Sequence, residues 1–513
     1  MSIARYTASA DTTITNAFEG GLSTQGTGSN MGYADSLEIF SIYAQASASV
    51  GLTQELSRTL IQFPISQISA DRTAGTLPAS GSVSFYLRMF NAKHPFTLPQ
   101  GFNLVVAPVS QSWTEGTGLD MEEYQDLGYA NWLSASSTAA WTSIGGDYRT
   151  GSNYNVSFPL GYEDLELNIS HLVEEWVAGT DAAFANNYGV GVHLTASQEA
   201  YFSSSTAQDS TAAPWAINNT DGSTQSYYTK KFFARSTEYF FKRPYIEARW
   251  DSRVSDNRED FFYSSSVAPA ADNLNTLYLY NYVRGRLVNI PAVGTNDILV
   301  SFYSSSASGT PTGSKLLLAG GGGVAADTDL NATGSYVSAG LYSVSVPVTA
   351  AATPLLAIHD VWHSGAVEYF TGSIYPELIP TYDSAPTFTR VTSCKNLKKS
   401  YISNDKPRFR FFVRNRNWNP TLYTISTANN PTDIIVSASY AVVRVTDNYM
   451  AIPYGTGANY STFLSYDKGG NYFDLDMSLL EPGYMYNIKL SYYNDSIGDW
   501  QEQPQSFKFR VEE

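Results

Sequence analysis

Apolar and polar residues alternate over short stretches through most of the chain. In Ser82 to Asn91 (SVSFYLRMFN) and Phe102 to Val109 (FNLVVAPV) the runs are rich in β-branched and aromatic residues and bounded by Gly, Pro or Asn, which predicts half-buried or buried strands. Leu274 to Val283, Asp297 to Tyr303 and Leu341 to Val348 read the same way. So do Tyr484 to Tyr493 and Ser506 to Val511, joined by the polar turn NDSIGDW and preceded by the EPG turn at Glu481 to Gly483. One stretch changes period: in ISHLVEEWVAG, Ile169, Leu172, Val173, Trp176 and Val177 fall at helical spacing and Gly179 stands where a helix stops. One short helix is predicted there. In KPRFRFFVRNRNW, Arg408 and Arg410 alternate with Phe409 and Phe411, so a strand there carries its charges on one face and its rings on the other.

Breaks in the pattern divide the chain. Thr195 to Thr229 is Ser, Thr, Ala and Gln with few apolar anchors, the composition of an insertion lying over a surface. DSRVSDNRED after Trp250 marks a first boundary, and the shift in chemistry from Pro386 marks a second. The expectation is an all-β protein of tandem β-sandwiches: a jelly-roll-like domain at 1–252, a second sandwich at 253–385 and an immunoglobulin- or fibronectin-like domain at 386–513. The Gly320 to Gly323 run lacks the Lys-Ser/Thr of a phosphate-binding loop and is expected to be an ordinary loop.

Composition agrees with strands: 15% charged, 14% aromatic, rich in Tyr, Gly and Ser. The net charge of −16 repels phosphate backbones and anionic lipid, so neither nucleic acid nor a membrane is an expected partner. A single cysteine, Cys394, rules out an intrachain disulfide. The first residues lack the basic start and apolar run of a signal peptide, and no stretch approaches the roughly 18 apolar residues that span a bilayer. Synthesis in a cytoplasm is expected.

Candidate chemistry is sparse. His359 and His363 in HDVWH would meet on a helix, but the run reads as a strand, where residues four apart lie about 13 Å apart, so two structural histidines are expected. The acidic set Glu115, Asp120, Glu122, Glu123 and Asp126 is the strongest constellation; Asp120, Glu122, Glu123 and Asp126 are candidate calcium ligands, the alternatives being a solvated loop or paired catalytic carboxylates. No cofactor other than calcium is suggested. The basic residues Lys398, Lys399, Arg408, Arg410, Arg414 and Arg416 form a stripe expected to face an acidic partner, such as another copy of this chain.

Six blocks occur in the order found in the DNRLRE family: ADTTI, SRTLIQFPISQI, NLVVAPVSQSWTEG, LNISHLVEEWVAG, NNYGVGVHL and RPYIEARW, from Ala10 to Trp250. The first half therefore resembles that family, whose members are jelly-roll sandwiches and in some cases carbohydrate-binding modules. SRTLIQFPI is read as a strand with Phe63 and Ile65 on one face and Pro64 fixing its exit near an edge, and the helix carrying Trp176 as a cap on one open end of the sandwich. The extra segment MEEYQDLGYANWLSASSTAAW and the polar insertion depart from the family pattern and are expected to extend the surface. Over nearly its whole length, notably in KKFFARSTEYFFKRP and FDLDMSLLEPGYMYNIKLSYYNDS, the chain resembles virion structural proteins of large tailed phages of marine cyanobacteria. That resemblance implies a non-catalytic particle component at the neck, tail or baseplate, contacting other virion proteins and further copies of itself. Two alternatives remain open: a host-surface polysaccharide-binding module using an aromatic platform of Trp113, Trp132 or Trp141, and a polysaccharide-degrading enzyme using the acidic loop.

Overall fold

The computed structural model describes residues 2–48, 51–93, 99–121, 128–149, 151, 153–180, 186–203, 215–264, 269–304, 315–316, 331–348, 355, 357–376, 389–422, 432–455, 460–494 and 497–513. The Gly320 to Gly323 run lies outside them. The chain is all-β and forms two compact units, Ser2–Asp251 and Ser252–Glu513.

The first unit is a jelly-roll-like sandwich. One sheet runs Ile3–Thr7, Tyr245–Trp250, Val83–Met89, Leu165–Asn168. The other runs Tyr227–Phe233, Ser36–Ala48, Gly51–Gln62, Val190–Leu194, Phe102–Pro108, Tyr154–Phe158, with Ala10–Thr15 also paired to Gly51–Gln62. Strict alternation along Val83–Met89 turns Val83, Phe85, Leu87 and Met89 inward, where they share one core with Ile39, Ile61, Leu104, Val106 and Val192 of the opposite sheet. The predicted helix is present, and a second, unpredicted helix precedes it in the chain. That helix, α1 (Ile65–Thr73), begins at Pro64, so Ile65 belongs to a helix and not to the strand read for SRTLIQFPI, which ends at Gln62. The predicted one, α2 (Ser170–Ala178), buries Leu172, Val173 and Trp176 and ends on Gly179 at φ 60°. Arg72 of α1 holds Glu174 of α2 through two bonds of 2.8 and 2.7 Å.

The large sheet has a second, outer core. Along Gly51–Gln62, Ile61 faces the main core while Leu56 and Leu60 face the other way, onto Ile14, Trp113, Ala130, Trp132, Ala135, Trp141 and Ala200. Ala130, Trp132, Ala135 and Trp141 come from the segment Met121 to Trp141 and Ala200 from the polar insertion, so both build core where added surface was expected. The physical reason is that a sheet buried on both faces needs apolar cover, and two indoles supply it.

In the second unit, residues up to Ile374 contribute a six-stranded antiparallel sheet in the order Asn275–Tyr280, Leu341–Val346, Asn331–Ser338, Ile298–Ser304, Ile358–Ser364, Val367–Ile374. Among the described residues this is one sheet with a small hairpin, its apolar face covered by Phe261, Tyr263, Ile290 and Val293. The C-terminal part is a two-sheet sandwich. One sheet runs Arg390–Cys394, Arg408–Asn415, Gly470–Asp474, Ser465–Asp467, and the other Ser400–Ile402, Phe507–Glu512, Met485–Asn494, Ala438–Arg444, Met450–Ile452. This is immunoglobulin-like strand order, and the Tyr486 hydroxyl donates to Glu481 O at 2.9 Å as a tyrosine corner. Its core is aromatic: Tyr440 stacks on Phe473 at 3.8 Å, and Phe409 and Phe411 point inward as their alternation predicts.

Candidate functional site

The segment after Ser252 stitches the middle sheet to the C-terminal sandwich. Tyr466 N donates to Val254 O (2.9 Å), Asp256 N to Tyr466 O (3.2 Å), and Asn257 N to Thr276 O (2.9 Å). Beside this seam lies a groove of about 490 Å³ bordered by Tyr278, Tyr280, Tyr282 and Phe370 on one side and Arg410, Lys395 and Lys468 on the other. Alternation along Asn275–Tyr280 buries Leu277 and Leu279 and sends Tyr278 and Tyr280 to the groove face. Successive rings Tyr278, Tyr280 and Tyr282 follow at 6.3 and 6.4 Å.

Arginine–carboxylate pairs fix the groove. Arg410 holds Asp467 through two bonds of 2.6 and 2.9 Å, and Arg408 holds Asp474 through two of 2.8 and 2.9 Å. Both guanidinium groups lie over the ring of Tyr472, at 4.2 Å for Arg408 and 4.9 Å for Arg410. Across the groove, Arg258 holds the fully buried Asp360 at 2.6 Å. Burial opposes the charge of Arg258, but Asp360 outweighs it and holds the guanidinium pKa above its ordinary value. Two glycines leave room for these pairs: a Cβ on Gly372 would strike the Arg258 and Asp360 side chains, and one on Gly469 the Arg410 guanidinium. Asp256, 3% exposed, takes a backbone bond from Arg258 N at 3.3 Å. Burial pushes its carboxyl up to about 7, against the pull of Arg258.

The basic stripe is thus divided. Arg408 and Arg410 are each paired with an in-chain aspartate; Arg414 is half-buried, its Nη1 donating to the Trp418 carbonyl at 3.4 Å, while Lys398, Lys399 and Arg416 are exposed. The tryptophan platform is corrected outright. Trp113, Trp132 and Trp141 are 7%, 0% and 5% exposed, and each indole N–H donates at 2.8 Å to a backbone carbonyl, of Tyr188, Trp215 and Asn131 respectively. Rings packed as outer core offer no face to a sugar.

Glu122, Glu123 and Asp126 lie outside the described residues. Asp120 borders a groove with Glu19, Asp35, Glu38 and Glu55, whereas Glu115 pairs with Arg235 at 2.7 Å and accepts from Asp11 N. Among the described residues no three His, Cys, Asp or Glu side chains are placed to hold a metal. His359 and His363 sit on the strand Ile358–Ser364 as expected, the first hydrogen-bonded to Gly372 O (3.1 Å) and the second to Ser301 Oγ (2.7 Å).

One buried ion pair has no counterpart among the sequence expectations. Arg58 donates to Glu199 through Nε (2.9 Å) and Nη2 (2.7 Å) and to Gly145 O (3.1 Å), with both side chains buried beneath Trp132 and Tyr148. Nearby, burial and then the charge of Arg58 press His193 down to about 4, so it is neutral. A single Arg in a strand and a single Glu in a polar insertion give no sequence signal of meeting.

No family model matches the chain, and no curated protein matches it. Among solved structures, the N-terminal Ig1-2 module of the Drosophila receptor protein tyrosine phosphatase DLAR is similar at 9% identity over 47% of this chain and 91% of that one, with a TM-score of 0.15. Salmonella alpha-2-macroglobulin reacted with methylamine is similar at 9% identity over 99% of this chain and 34% of that one, with a TM-score of 0.14. The fold assignment rests on the strand order itself.

Proposed function

We propose that this chain is a non-catalytic structural component of a tailed-bacteriophage particle, associated with the neck, tail or baseplate and working through protein–protein contacts. The observation that carries the reading is the use made of charge. Several of its arginines form two-pronged carboxylate pairs inside the chain, among them Arg58 to Glu199, Arg72 to Glu174, Arg235 to Glu115, Arg408 to Asp474 and Arg410 to Asp467. Such forks hold surfaces in one geometry, which suits an assembly part. The whole-length resemblance to virion proteins supports the same reading, with the first unit as its DNRLRE-like domain.

Gradient-purified particles from infected cells test it. The chain is expected in the particle band at fixed copy number and cytoplasmic only before assembly. Its recovery solely from the soluble lysate refutes the proposal.

A further inference from the structure

A second concavity lies on the C-terminal sandwich, apart from the groove. It is a cup of about 620 Å³ over the strands Ala438–Arg444 and Met485–Asn494. Aromatic rings make its wall: Tyr460 meets Phe463 at 4.8 Å, Phe463 meets Trp500 at 5.2 Å, and Trp500 meets Tyr493 at 5.6 Å, all edge to face. Each ring braces the next, so the wall is preformed. Arg253, which does not line the cup, stacks on Tyr460 at 4.7 Å and Phe463 at 5.0 Å. Tyr460 and Trp500 are nonetheless 39% and 38% exposed.

The remaining lining is hydroxyl and uncharged. Ser437, Ser439 and Ser491 border the cup, and Tyr454 donates to Glu502 Oε2 at 3.3 Å, while Glu502 itself pairs with Lys489 at 2.9 Å. In a chain of net charge −16, no described residue lining this concavity is charged.

We propose that this cup is a saccharide-binding site for a neutral, pyranose-based glycan. A pyranose presents an apolar C–H face to an aromatic wall and hydroxyls to the serines. A charged ligand would be desolvated here without a counter-charge in the lining, and a wholly apolar one would desolvate the Ser437 and Ser491 hydroxyls, that of Ser439 being already bonded to Thr462 at 2.9 Å. The volume falls within the roughly 300–1,000 Å³ of small-molecule sites. The site goes beyond the structural role proposed above and stands independently of it.

The test applies the full chain to immobilised cellotriose, mannotriose and N-acetylchitotriose, with polygalacturonate and decaproline as competitors of other chemistry, followed by calorimetry on any ligand retained. Saturable binding of at least one neutral trisaccharide is expected, weakened about tenfold or more by Trp500→Ala. Trp500 lies on Asp499–Glu502, a strand exposed along its whole length, so its removal spares the core. Tyr460→Ala gives the same reading from the other side of the cup, should the first variant fail to fold. Retention of none of the three, retention unchanged in the variants, or preference for polygalacturonate or decaproline overturns the proposal.

Discussion

Replacing Glu199 with Ala leaves the Arg58 guanidinium charged, buried and unpaired. Removing one partner of a buried ion pair costs about 3–5 kcal/mol, because the survivor keeps its desolvation penalty. Arg58 retains its bond to Gly145 O at 3.1 Å and lies 5.6 and 5.7 Å from the rings of Trp132 and Tyr148, which offsets part of the loss. The lower end of the range, about 3 kcal/mol, is therefore expected. In a unit of this size each kcal/mol moves Tm by about 2–4 °C, so calorimetry should record a fall of about 6–12 °C. The double variant Arg58→Met/Glu199→Leu removes both charges and should recover at least half of that fall. A shift below about 2 °C for Glu199→Ala, or a double variant as damaged as the two singles summed, refutes the reading of Arg58 and Glu199 as a coupled buried pair.

Three further outcomes follow from other residues. Asp256 has a folded pKa of about 7 against an ordinary carboxylate value near 4 unfolded, so its stabilising contribution is full below about pH 4 and is lost as pH rises through about 7. Asp256→Asn should flatten that fall in urea midpoints between pH 4 and 8; an unchanged slope sinks the assignment. Trp132→Ala should cost about 3–5 kcal/mol, since the indole is fully buried, while leaving any glycan retention intact. Chemical denaturation and the immobilised-sugar assay read the two parts separately. Tyr486→Phe deletes the corner bond to Glu481 O and should lower stability by about 1 kcal/mol, measurable as a shifted urea midpoint with an unchanged slope.

Period and punctuation made much of the fold legible. The apolar spacing and Gly179 located α2, and the Arg/Phe alternation oriented Arg408–Asn415 correctly. Helix α1 escaped because ISQISADRT buries only Ile65 and Ile68, too few positions to declare a helical stripe, and Pro64 serves equally well at a strand exit or a helix start. The tryptophans misled for a different reason: exposure is a property of what packs against a ring, and the second layer over Leu56 and Leu60 cannot be inferred from local pattern. The groove was half visible. TLYLYNY announced alternation, yet nothing local says that Tyr278 and Tyr280 meet Arg410 and Asp467, some 130 to 190 positions later.

The first unit begins and ends side by side. Ile3–Thr7 pairs antiparallel with Tyr245–Trp250, Ile3 opposite Arg249, and the ladder starts with Trp250 N donating to Ser2 O at 3.0 Å. A load applied between Ser2 and Asp251 therefore acts across the rungs at one end of the pair. It opens them one after another, as a zip, where strands pulled along their length would have to shear every rung together. Mechanically this unit yields by peeling its edge strand at low force, before the core between its two sheets bears any tension.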